Sequence, residues 1–86
     1  MTNKPWDDDR KVLRELLKEL RKEKAGLTQT ELSEMLGCPQ SYVSKYENGE
    51  RRLDYVEVRD ICNALGVSMQ SFNRMYDDKI NNEKKK

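Results

Sequence analysis

Residues 27–49 read LTQTELSEMLGCPQSYVSKYENG. The stretch holds two short apolar-periodic runs joined across Gly37. The first starts with Thr28 and Glu31 at capping-box spacing, and Leu27 and Leu32 are placed to staple that start. It predicts a helix over 29–36 with Leu32 and Leu36 inward. Gly37 suits the left-handed turn that follows. The second run opens at Pro39, a residue the first helical turn tolerates. It predicts a helix over 39–48, with Tyr42, Val43 and Tyr46 on the apolar side and Gly49 closing it. Isolated helices shorter than about 12 residues are marginal in water, so neither segment stands alone.

The flanking sequence supplies the missing neighbours. Upstream, Asp7, Asp8 and Asp9 precede Leu13, Leu16, Leu17 and Leu20, which recur at helical spacing. Acids at the start and lysines and arginines at the end complement the helix dipole. A helix over about 8–24 is expected, stopped by Ala25-Gly26. Downstream, Val58, Ile61, Cys62 and Leu65 mark a helix over 54–65, ended by Gly66. Ser68 caps a fifth helix carrying Met69, Phe72, Met75, Tyr76 and Ile80. Residues 81–86 are polar and expected to fray. No period-two alternation appears. The expected fold is all-α, a compact five-helix bundle. Residues 1–9 form a polar segment, 10–76 the domain and 77–86 a polar tail.

Composition narrows the chemistry. At 86 residues, 35% hydrophobic and 38% charged, the chain builds one small domain with a modest core. There is no histidine, which removes imidazole acid–base catalysis and imidazole metal sites. The two cysteines, Cys38 and Cys62, lack CxxC spacing and read as small apolar residues. No nucleophile–base pair or phosphate-cradling glycine loop is present, so no enzyme, cofactor or metal is expected. No apolar run reaches membrane-spanning length, and a cytoplasmic protein is the default. Net charge is only +1, so a case for binding nucleic acid rests on where the charges lie.

Two short helices packed steeply across a glycine-containing turn make a helix-turn-helix. In its DNA-binding form the second helix enters the major groove while the first crosses the backbone. LTQTELSEMLG, then SYVSKYENGERR, then a fourth helix ending ALGVS, resemble the Cro and lambda-repressor family, also called the XRE family. The resemblance spans about residues 17–72. It implies a lambda-repressor-like bundle acting on double-stranded DNA. By position in the motif, it implies base reading by Gln40, Ser41 and Lys45, and Ser44 joins them as a candidate because it lies on the same exposed side. These side chains share one helical face, and their chemistry suits adenine and guanine edges. It implies phosphate contacts from Thr28, Gln29, Tyr42, Asn48, Arg51 and Arg52. It also implies an ion pair between Glu47 and a basic residue of the first helix, Arg21 by the L-R-K-E-K pattern with Lys22 as the alternative.

Two departures from the family pattern bear on the structure. Lys24-Ala25-Gly26 stands where many members have one residue fewer. Pro39 replaces the Ser or Thr common at the start of the recognition helix. In addition, residues 25–50 hold one lysine and four glutamates, an acidic balance for a DNA-facing segment.

The fifth helix carries Met69, Phe72, Met75, Tyr76 and Ile80 as a continuous stripe, read as a homodimer seam suited to a palindromic operator. The competing function is a protein-interaction module, such as an antitoxin-type binder of a protein partner.

Overall fold

Glycine stops at residues 26, 37, 49 and 66 divide residues 5–84, the part that the computed structural model describes, into five α-helices. These are α1 (Pro5–Glu19), α2 (Gln29–Met35), α3 (Ser41–Glu47), α4 (Tyr55–Leu65) and α5 (Met69–Lys84). No strand occurs among the described residues. Residues 1–4 and 85–86, parts of the expected polar termini, lie outside them. No helix among the described residues is long and apolar enough to cross a membrane.

The core joins every helix. Leu16, Leu17 and Leu20 meet Leu32 of α2, Val43 and Tyr46 of α3, Val58, Ile61, Cys62 and Leu65 of α4, and Phe72 of α5 in one buried cluster. Leu17, Leu32, Val43 and Ile61 are completely buried. The short helices α2 and α3 pack on each other, and α1 backs α3.

Three sequence expectations change. First, α1 begins at Pro5, ahead of the expected start. Second, α5 continues through Lys84, so residues 81–84, expected to fray, are helix. Tertiary contacts hold the extension: the Tyr76 hydroxyl donates to the Asp9 carbonyl at 3.1 Å, and Lys79 Nζ reaches Glu19 at 3.0 Å. Third, Phe72 belongs to the monomer core rather than to a seam between copies. It is 2% exposed and stacks on Tyr76 with ring centroids 6.4 Å apart. Met69, Met75, Tyr76 and Ile80 are half-buried.

The end of the first helix also differs, and the reason is physical. After Glu19 the chain widens into a π-helical segment over Leu20–Ala25. A π-helix bonds five residues back rather than four, and thereby absorbs one extra residue. Gly26, left-handed at φ 64, returns its N–H to the Arg21 carbonyl, which Leu27 N–H shares at 3.0 Å. Arg21 still faces α3.

Candidate nucleic-acid interface

Helix α3 is anchored from behind. Val43 and Tyr46 of α3 are buried at 0% and 1% exposure. On the opposite side Gln40, Ser41 and Lys45 are exposed, and Ser44 is half-buried. α3 therefore presents a short polar face on a fixed apolar base. Gln40 is the cap position and makes no side-chain capping bond; regular helix runs from Ser41.

The cap that Pro39 removes is supplied by the neighbouring helix. Ser33 of α2 is completely buried. Its Oγ accepts the Val43 N–H at 3.3 Å and donates to the Gln40 carbonyl at 3.3 Å. Val43 is the third residue of α3, the position whose N–H a capping side chain ordinarily satisfies. Ser33 thus stitches α2 to the first turn of α3. Sequence reasoning missed it, because a serine beside Leu32 carries no signal without knowledge of what it faces.

The far end of α3 is fixed by Glu47. Arg21 donates to it twice, Nε at 2.7 Å and Nη2 at 3.1 Å, while Nη1 donates to the Leu27 carbonyl at 2.7 Å. Both side chains are nearly buried, at 8% and 2% exposure. Gln29 Nε2 adds a third bond to Glu47 at 2.8 Å. The side-chain amide expected on phosphate is therefore engaged inside the motif, and through Glu47 it links the π-helical segment, α2 and α3. Thr28 closes a full capping box with Glu31, accepting its N–H at 3.0 Å.

A second carboxylate, also missed in the sequence, organises the other side of α3. Asp54 and Glu57 form a capping box at the start of α4. The free oxygen of Glu57 accepts the Tyr42 hydroxyl at 2.9 Å and pairs with Arg51. The Arg51 guanidinium also lies over the Tyr42 ring, 5.2 Å from its centroid, a favourable cation–π placement. Burial alone would raise the Glu57 carboxyl. The hydrogen bonds from Asp54, Arg51 and Tyr42 outweigh that and hold it below its ordinary value. The same network, after desolvation, lifts the Tyr42 phenol to about 12. The D-x-x-E spacing of Asp54 and Glu57 was the available signal.

Of the remaining expected residues, Arg52 and Asn48 are exposed, and Asn48 Nδ2 reaches Glu50 at 3.5 Å. The structure thus gathers Gln40, Ser41, Lys45, Asn48 and Arg52 on exposed surface of α3 and the loop after it. Gln29, Tyr42 and Arg51 already have partners within the chain. Both cysteines are free thiols.

A family model described as Helix-turn-helix matches residues 17–72. Among characterised sequences, a control protein, C.MunI, from Mycoplasma sp is 36% identical over 53 residues, covering 62% of this chain and 72% of that one. An uncharacterized HTH-type transcriptional regulator, y4dJ, from Sinorhizobium fredii is 39% identical over 61 residues, covering 71% of this chain and 78% of that one. No solved structure matches the chain significantly.

Proposed function

Because the chain belongs to the Helix-turn-helix family, we propose that it is a DNA-binding transcriptional regulator that works as a homodimer on a palindromic operator. In this reading α3 lies in the major groove, with Gln40, Ser41, Ser44 and Lys45 toward base edges. The observation that carries the reading is the way α3 is held. Its inner face is buried, Ser33 caps its first turn, and Glu47 and Glu57 fix its end and flank. A polar face positioned this firmly suits recognition better than a solvated face does. The printed names of the two relatives, a control protein and a transcriptional regulator, support the same conclusion.

Affinity comes from few phosphate contacts. Thr28, Gln29, Tyr42 and Asn48 contribute hydrogen bonds and no charge. Tyr42 and Arg51 share Glu57, so a phosphate must compete with that carboxylate for the Arg51 guanidinium. Lys45, Arg51 and Arg52 supply the positive charge. With these three from each protomer, a dimer bringing roughly six charge contacts has a log–log salt slope of about −5.4. Binding to duplex DNA across a salt series tests this. A slope of that order supports the reading; no binding even at low salt overturns it.

A further inference from the structure

A cleft of about 250 Å³ opens between the first turns of α1 and the loop that leaves α3. Four arginines line it, Arg10 and Arg14 from α1 and Arg51 and Arg52 from the loop, with Asp7 the single acid on the wall. The chain as a whole carries only +1, so four guanidiniums around one cleft are a local concentration of positive charge. Two of them are engaged: Arg10 lies 3.6 Å from Asp7, and Arg51 pairs with Glu57. Arg14 and Arg52 make no ion pair among the described residues.

Arg14 is nonetheless positioned. Its guanidinium lies flat against Gly49, so close that a methyl group on that residue would come within 3.2 Å of it. Gly49 is also left-handed at φ 83, and these two constraints together account for glycine at the end of α3. Tyr46 also lines the cleft, and its buried hydroxyl has no hydrogen-bond partner among the described residues. A buried donor of this kind is costly unless something accepts from it.

We propose that this cleft is a phosphate-binding site in which Arg14 and Arg52 grip the oxygens from either side, with Tyr46 at its wall. Planar guanidiniums offer paired N–H groups that match a phosphate's oxygens. The phosphate is either free in solution or a DNA backbone phosphate beside α3. Only the second source rests on the regulator reading.

The test has two arms. In the first, inorganic phosphate is titrated against isotope-labelled protein at constant ionic strength, with chloride as control, following the Arg14 Nε–H and Gly49 N–H resonances. In the second, the salt slope for duplex binding is compared between wild type and Arg14→Gln. A saturable phosphate response lost in Arg14→Gln, with an unchanged slope, assigns the site to free phosphate. A slope reduced by about 0.9 per bound protomer assigns it to DNA. A phosphate response in a chain that binds no DNA upholds the cleft and sinks the regulator reading. Neither effect, in wild type that binds DNA or not, overturns the proposal. Arg14→Lys keeps the stem over Gly49 and the charge, and serves if Arg14→Gln does not fold. It is expected to weaken the phosphate response through loss of the fork.

Discussion

Glu47 shows how much one side chain of α3 organises. It accepts two bonds from Arg21 and one from Gln29 while almost fully buried. Removing one partner of a buried pair strands the other charge, at about 3–5 kcal/mol. Glu47→Leu should therefore lower unfolding stability by about that amount in denaturant titration. Adding Arg21→Met should recover most of the loss, and no recovery would mean that the pair is not the reason. Glu57 gives a pH signature. Its bonded form is the ionised one and its folded value is lowered. Its stabilising part is thus complete above the ordinary value of 4.5 and is lost as pH falls through the lower folded value. The melting temperature of wild type should exceed that of Glu57→Gln at pH 7, and the gap should close towards pH 3. At this scale the residues legible in the sequence were those whose role lies within one helix. Thr28 and Glu31 announce a capping box by spacing alone, and Arg21 and Glu47 came from the resemblance. Ser33 was illegible, because its partner Val43 lies ten residues away on another helix.

Among the elements, α3 depends most on its neighbours. It is seven residues long, makes no capping bond of its own and begins behind a proline. Ser33→Ala removes the acceptor of a buried N–H, which costs about 1–3 kcal/mol. Amide exchange at Val43 should quicken more than the global loss of stability accounts for, and duplex affinity should fall. Equal quickening throughout the chain would show that Ser33 serves the core and not the recognition helix. Helix existence was readable from leucine periodicity and glycine stops, and all five expected helices are present. Boundaries were less readable. Periodicity alone reads the π-helical segment Leu20–Ala25 as more α-helix. The extension of α5 depends on Tyr76 and Lys79 reaching α1, which no local pattern in a polar stretch reveals.

For the whole molecule, the proposal is that one small bundle recognises an operator as a dimer. The stripe on α5 read as a seam is divided by the fold: Phe72 completes the monomer core, and Met69, Met75 and Ile80 remain half-buried. If these three residues meet a second copy, Ile80→Asp should shift sedimentation from dimer to monomer at micromolar concentration and leave the helical signal intact. A wild type that is monomeric throughout would remove the dimer from the account. The central claim, that the α3 face reads DNA sequence, is tested most directly by selection from a random duplex library at near-physiological salt. Wild type and a Gln40→Ala/Lys45→Ala variant would be run side by side. The account predicts that wild type enriches an inverted repeat and the variant does not. Equal enrichment by both, or none by wild type, would contradict it.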